Sequence, residues 1–434
     1  MAAGLGTRMR SATPKHLHRV LGLRLLDWVL AAAAPLEARP LVVVTSPDSV
    51  GALADLGGAT LAVQAEPRGT GDAVARAREA LGDGCDELLV LSGDTPLLTA
   101  GLLAALVDEH RHQGSAVTVL SFVPSDPGDY GRVVRGPDGS LEAIVEAKDA
   151  SADELEIGEV NSSIYVFAPD ALWRALGRLD AQNAQGELYL TDCVRHIVAA
   201  GGGGSVLLAP DPLLARGVNT RVELAEAAEA LQARVNEQHM LGGVSIVDPR
   251  STWIDVGVAI APDTVIHPFT VLRGSTRIGA HAEIGPHAVI VDSEVGDGAL
   301  VGPFAYLRPG TVLGEASKAG TFVEIKNSQV GARTKIPHLS YIGDADVGED
   351  TNIGAGAITA NLPHDTVRGK QRTTIGRNVR TGVDNSFIAP VTIGDNAWVA
   401  AGSVITDDVP PDALAIARAR QENKEGQASG KRND

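Results

Sequence analysis

From Leu41 to Val123, short aliphatic runs alternate with stretches whose apolar positions recur at helical spacing. The runs "LVVVTS" (41–46), "ELLVLSGDTP" (87–96) and "SAVTVLSFV" (115–123) predict strands. "DAVARAREAL" (72–81) and "TAGLLAALVDEHRHQG" (99–114) predict helices, the latter apolar at Leu102, Leu103, Leu106 and Val107. Strand and helix in alternation predict a mostly parallel sheet with helices on both faces. Residues 219–239, "NTRVELAEAAEALQARVNEQH", hold no Gly or Pro and predict a connecting helix.

After Leu241 the texture changes. Aliphatic residues recur every six positions at Ile278, Ile284 and Ile290, then at Val295, Val301, Leu307 and Leu313, and later at Ile393, Val399 and Ile405. Many are followed by Gly, as "IG", "VG" or "LG". A six-residue period with small residues beside each aliphatic predicts a parallel β-helix, whose flat faces stack their aliphatics inward. Coils of hexapeptide repeats are left-handed as a class. Slips of phase, as between Ile290 and Val295, predict turns or loops projecting from the coil. The expected fold is therefore α/β followed by β: a Rossmann-like domain over 1–218, a linker helix over 219–240, a left-handed β-helix over 241–417 and a solvated tail over 418–434.

Composition narrows the function classes. The chain has 434 residues with 54 Asp+Glu against 37 Lys+Arg, a net charge of -17. That balance disfavours general affinity for nucleic acid or anionic lipid, so anionic small molecules must be held by local basic clusters. No apolar run approaches a membrane span or a signal peptide core. Cys85 and Cys193 stand in no metal-ligand spacing, which points to a reducing cytoplasm.

Basic clusters do occur. "MAAGLGTRMRSATPK" (1–15) is a Gly-rich loop in which Gly4 and Gly6 allow close backbone approach to phosphate, with Arg8 and Lys15 supplying charge. Its spacing fits neither the Walker pattern nor the dinucleotide fingerprint. "VQAEPRGTGDA" (63–73) adds a second Gly-rich turn with Gln64, whose amide can read a base edge. "LSGDTPLL" (91–98) places Asp94 at a strand end, the usual place for a Mg²⁺ ligand in such a fold. "DYGRVVR", "IVEAKD" and "EVNSSIYVF" then offer Gly131, Glu146 and Asn161 as partners for sugar hydroxyls.

In this ordered set the chain resembles the sugar-phosphate nucleotidyltransferases. More closely, it resembles the bifunctional bacterial enzymes that combine N-acetylglucosamine-1-phosphate uridyltransferase with glucosamine-1-phosphate N-acetyltransferase, over residues 1 to about 420. The resemblance implies Mg²⁺ on Asp94 and Asn219, and UTP and its product against Met1, Ala2, Ala3, Gly4, Arg8, Lys15, Gln64, Gly69, Thr70, Ser92, Gly93 and Asn219. Gly131, Glu146 and Asn161 would hold the sugar. The product, UDP-N-acetylglucosamine, would feed peptidoglycan, lipopolysaccharide or other envelope polymers.

In the repeat half, "FAYLRPGT" (304–311), "TFVEIKNSQVG" (321–331) and "TKIPHLSYIGDADVG" (334–348) carry polar groups where a purely structural coil carries small ones. Arg308 and Lys326 are suited to clamp a phosphate. Acetyl transfer to an amine needs a base to take its proton. The resemblance assigns that role to His338, the sugar phosphate to Arg308, Lys326, Tyr341 and Asn352, and acetyl-coenzyme A to Ala355, Asn361, Leu362, Val383, Ala401 and Arg418. It also implies a homotrimer whose coenzyme site is completed across copies. The bland alternatives are a nucleotidyltransferase with a regulatory or oligomerising coil and a non-catalytic nucleotide-binding protein. The cluster around His338 argues against the first, Asp94 and Asn219 against the second.

The chain departs from the pattern in two places. The family has an apolar strand before the phosphate loop, and this sequence opens at its last residue, with Met1 in place of Leu, so the sheet is expected to lack that strand. In the coenzyme region, Asn-Tyr-Asp-Gly reads "NLPHD" (361–365) and an expected Ser is Val383. A ring and a hydroxyl contact are thereby lost, and coenzyme affinity is expected to suffer before the chemistry at His338.

Overall fold

The run at 41–46 forms the strand Leu41–Thr45, which pairs in parallel with Ala59–Val63. The computed structural model describes residues 1–4, 6–82, 84–362 and 369–427, and the chain divides into two units, Met1–Leu231 and Gln232–Asp434. In the first unit the predicted helices appear as Thr70–Leu81 and Ala100–Gln113. A second sheet places Gly204–Leu208 parallel to Val117–Phe122. Val160–Phe167, however, runs antiparallel to Leu88–Val90, Val117–Phe122 and Arg132–Arg135. The sheet is thus more mixed than the alternation predicts. Arg132–Arg135 and Leu141–Val145 form a hairpin closed by the Gly136–Ser140 turn, and a tight turn dictates antiparallel neighbours where a helical crossover does not.

Apolar side chains fill both faces of this sheet: Val119, Tyr165, Phe167 and Leu172 on one side, Leu103, Leu106, Phe122 and Val166 on the other. Met1 and Ala2 join the two sheets. Ala2 N–H donates to the Val44 carbonyl at 2.7 Å, the Met1 amine to Leu91 at 2.7 Å, and Gly93 N–H to Met1 at 2.8 Å. Beyond them a cavity of about 520 Å³, lined by Leu30, Val42, Val74 and Leu89, separates Leu41–Thr45 from Leu88–Val90. The connecting helix spans Arg221–Leu241.

The second unit is a parallel β-helix of the left-handed hexapeptide class. Its strands visit three faces in turn, as in Val265–Ile266, Val271–Arg273 and Arg277–Ile278. Up to Tyr341 each strand pairs in parallel with the one 17 or 18 residues on, Val265 with Glu283 and Glu283 with Leu300, and the step lengthens to 28 from Ala345 to Thr373 and from Ile358 to Ser386. Every aliphatic position of the six-residue pattern is buried. The alternating 17 and 18 account for the phase slip after Ile290. The recurring glycines have a steric cause: a Cβ on Gly331 would lie 2.5 Å from the Glu349 nitrogen of the next coil. Buried hydroxyls line the corners, and Thr264, Thr311 and Thr334 donate to backbone carbonyls of their own or the next turn at 2.6–2.7 Å. One corner carries Phe269, His287, Phe304 and Phe322 at positive φ, a backbone conformation that costs roughly 1–2 kcal/mol per L-residue. Their rings stack in a column, with centroids 4.8, 4.8 and 5.2 Å apart, and the stacking offsets part of that strain.

Candidate functional sites

In the first unit the phosphate loop wraps onto Lys15. Gly6 adopts a left-handed conformation, and a Cβ there would fall 2.7 Å from the Lys15 Cβ. Gly4 is exposed with nothing near its Cβ direction, which leaves its backbone open to an anion. The Lys15 ammonium donates to Asp94 Oδ2 and, at 2.9 Å, to Asn219 Oδ1. The two expected metal ligands therefore converge on one point, and a cation already stands there. Burial works against the Asp94 carboxylate, but the Lys15 charge and a 2.7 Å hydrogen bond from Ser92 outweigh it and hold Asp94 below the ordinary carboxylate range. His16, buried beside them, is pushed down to about 4, first by burial and then by the neighbouring N-terminal amine. His16 therefore adds no charge of its own beside Lys15. Arg8 lies at the exposed mouth, 3.3 Å from Asp129.

Gly69 and Thr70 begin the helix Thr70–Leu81 against Leu188. Gly71 N–H donates to the Leu188 carbonyl at 2.8 Å, and a Cβ on Gly69, at φ 108°, would lie 2.5 Å from that oxygen. Gln64 is buried beside this turn, its amide donating to the Gly69 carbonyl. The expected sugar residues also assemble. Asn161 N–H donates to the Gly131 carbonyl at 2.9 Å, and a Cβ on Gly131 would meet Glu146 Oε2 at 3.5 Å. Burial pushes the Glu146 carboxyl up, while Thr191 donates to it at 2.9 Å. The Asn161 amide donates to the buried Tyr165 hydroxyl at 2.8 Å. Thr191 was not legible from sequence, because it belongs to a helix distant in the chain.

In the second unit Arg308 and Lys326 occupy adjacent coils of one face, with Arg308 N–H donating to the Ile325 carbonyl at 2.8 Å. Tyr341 follows one coil later, paired with Glu324. Arg308 donates to Glu324 at 2.7 Å, which raises its already high pKa. The Lys370 ammonium beside Lys326, reinforced by Arg308, holds Lys326 below its ordinary value. Two ammonium groups set against each other are relieved by a shared anion, so Lys370 belongs to this cluster. Sequence reasoning missed it, because Lys370 follows the repeat break after Asn361, where the six-residue phase gives no position. His338 ends the strand Lys335–His338 with its side chain exposed and its ring without a hydrogen-bond partner among the described residues. Asn352 pairs with Lys335, the first residue of that strand, and lies on the same face of the coil.

The expected coenzyme residues fall into two groups. Asp384 N–H donates to the Ala355 carbonyl and Gly402 N–H to the Val383 carbonyl, at 2.7 and 2.8 Å. Ala355, Val383 and Ala401 thus mark one corner on successive coils, with the Arg418 stem 4.0 Å from the Cβ direction of Gly402. Asn361 instead turns its amide to the Tyr341 hydroxyl at 3.3 Å and to Asp344. Leu362 is exposed beside it, and the rest of "NLPHD" lies outside the described residues.

Comparison with known proteins agrees with this division. A model of the MobA-like NTP transferase domain matches residues 1–205, and one of the hexapeptide repeat of succinyl-transferase matches residues 372–407. The bifunctional protein GlmU of Mycobacterium bovis is 48% identical over 457 residues, covering 100% of this chain and 92% of its own. The chain belongs to the GlmU family. Members from Mycolicibacterium vanbaalenii and Streptomyces avermitilis are 46% and 47% identical, again across the whole of this chain. The NTP transferase match covers the loop, Asp94 and the Gly131, Glu146, Asn161 trio, and the hexapeptide match covers Val383 and Ala401. Among the described residues, no helix is long and apolar enough to cross a membrane.

Proposed function

We propose that the two clusters are the two active sites of one enzyme. As a GlmU-family protein the chain is a bifunctional transferase that makes UDP-N-acetylglucosamine. Glucosamine-1-phosphate is acetylated from acetyl-coenzyme A, and the product takes a uridylyl group from UTP with release of pyrophosphate, in the cytoplasm and for envelope polymers. The convergence of Asp94 and Asn219 on the Lys15 ammonium carries the first assignment.

In the uridylyl site the sugar phosphate oxygen attacks the α-phosphorus of UTP, and the bond to the pyrophosphate oxygen breaks. The nucleophile is already anionic, so no general base is needed. What the residues supply is alignment and neutralisation of crowded negative charge, through Lys15, Arg8 and the N–H groups of the loop. The oxygens of Asp94 and Asn219 suit a hard cation that keeps water and phosphate in its shell, and Lys15 marks the point where positive charge is favoured. Mg²⁺ held there would neutralise the phosphate oxygens. Gly131, Glu146 and Asn161 orient the sugar.

In the acetyl site Arg308, Lys326 and Lys370 hold the phosphate of glucosamine-1-phosphate, with Tyr341 and Asn352 beside it. The amine nitrogen attacks the thioester carbonyl and its proton passes to His338; the carbon–sulfur bond then breaks, and the proton returned by His338 lets coenzyme A leave as the thiol. The corner at Ala355, Val383 and Ala401 receives the coenzyme. A trimer is supported by the exposed column from Phe269 to Leu339 next to His338, whose open ring leaves room for a neighbouring copy. The test is incubation with glucosamine-1-phosphate, acetyl-coenzyme A, UTP and Mg²⁺, detecting free thiol and pyrophosphate separately. Both products are expected, and pyrophosphate without thiol would return the coil to a regulatory role. Light scattering at three times the chain mass checks the trimer.

A further inference from the structure

Gln64 and Asp72 are both buried, 5% and 7% exposed. Gln64 Nε2 donates to the Gly69 carbonyl at 3.0 Å and to Asp72 Oδ2 at 2.9 Å. Both partners are acceptors only, so turning the carboxamide over would set its oxygen against two others. Asp72 sits in the first turn of the helix Thr70–Leu81, where the helix dipole favours negative charge. Its second oxygen accepts from Arg76 Nη2 at 2.9 Å, one turn along. The chain Arg76, Asp72, Gln64 therefore leaves one orientation of the amide, and Gln64 Oε1 accepts no hydrogen bond among the described residues.

We propose that Asp72 is a specificity-determining positioning residue, locking the Gln64 carboxamide so that its carbonyl oxygen, and not its NH2, is offered to the nucleotide base. The inference rests on the reading that places Gln64 at the base. A pyrimidine whose ring N3 carries hydrogen, as in uracil, donates to that oxygen. A pyrimidine whose N3 is a bare acceptor, as in cytosine, sets lone pair against lone pair beside a buried carboxamide. A buried polar group left without its partner is the strongest basis on which a site rejects a near-isosteric substrate.

The experiment measures kcat/KM for pyrophosphate release with UTP and with CTP in the full-length Asp72→Ala protein, using its acetyl transfer as the check on folded enzyme. Freed from Asp72, Gln64 can turn its NH2 to cytosine N3, so the UTP to CTP preference is expected to fall at least tenfold, with CTP holding or rising. Asp72→Asn, which can present either a carbonyl or an amide to Gln64, is expected to fall between, and it decides the matter if the alanine variant does not fold. Equal loss with both nucleotides, the mark of a merely structural role, would overturn the proposal, as would an unchanged preference. Gln64→Ala separates the two readings. If it leaves the preference intact, Gln64 is not at the base; if it abolishes the preference while Asp72→Ala keeps it, only the positioning role fails.

Discussion

The two units assemble their proposed anion sites by different means. In the α/β unit the cluster draws on Lys15, Asp94 and Asn219, residues up to 204 positions apart, and its charges are largely shielded and already paired. In the coil, Arg308, Lys326 and Tyr341 sit about one rung apart on a repeating ladder, half-buried, and Lys326 faces the like charge of the exposed Lys370. A wound sheet can gather distant strand ends around one point and shield them from water, whereas a narrow prism has no interior to spare and must display its chemistry on the outside. The first site is preorganised by its own chain. The second stands open, with an uncovered His338 ring and an exposed corner column beside it, as the proposed trimer would require.

The sharpest way to break this comparison is to show that the two sites do not act independently. His338→Ala is expected to slow acetyl transfer by roughly 10²–10⁴-fold, the usual worth of a positioned base, while pyrophosphate release from supplied N-acetylglucosamine-1-phosphate stays unchanged. Parallel loss of both activities would refute separate sites. Asp94→Asn provides the mirror test. It removes the charge that balances Lys15 and is expected to cost uridylyl transfer roughly 10²-fold, with thiol release unaffected. Raising Mg²⁺ should restore part of the rate if Asp94 is a metal ligand, and none if it serves only to seat Lys15.

Legibility followed the same division. The coil was readable because its period repeats: Ile278 and Val295 predict a stacked core before any contact is known, and the structure buries both. In the α/β unit the strands and helices were readable from local pattern, but the sheet order was not, since the antiparallel insertion of Val160–Phe167 is a long-range choice. The candidate site residues could be proposed from sequence mainly where a motif surrounds them, as with Gly4, Lys15 and Asp94. Thr191 and Lys370 carry no local mark. One meets Glu146 only through packing of a helix on a hairpin, the other follows a break in the repeat. The internal positions of Thr264 and Thr334 were hidden too, because each hydroxyl is satisfied by a carbonyl 14 or 15 residues on in the coil.

Lys370→Ala tests whether the exposed cluster works as a shared clamp. Losing one charged hydrogen bond to a phosphate, typically about 1.5–3 kcal/mol where it is well formed, is discounted for water at an open surface. KM for glucosamine-1-phosphate is therefore expected to rise about tenfold with kcat nearly unchanged. The rise should shrink in high salt, because exposed charges are screened. A fall in kcat alone would instead place Lys370 at the reacting atoms.

The smallest expected effect concerns Glu146, and it separates the more shielded site from the more open one by pH. Burial holds this carboxyl above the ordinary range, with Asp192, Asp149 and Glu187 adding to the shift against the bond from Thr191. The folded chain therefore keeps the proton to a higher pH than the unfolded chain does, and the fold gains stability as pH falls through the folded value. Over the same window the sugar loses an anionic acceptor for its hydroxyls, so KM for N-acetylglucosamine-1-phosphate is expected to rise a few fold. Melting temperature and KM should thus increase together on acidification, a pairing that general acid damage does not produce. The substrate phosphate titrates nearby, so Glu146→Gln is the necessary comparison: it should remove the carboxyl contribution to both curves and leave the phosphate contribution to KM. If the variant's KM curve matches the parent's, Glu146 does not touch the sugar, and the buried trio with Gly131 and Asn161 serves packing alone.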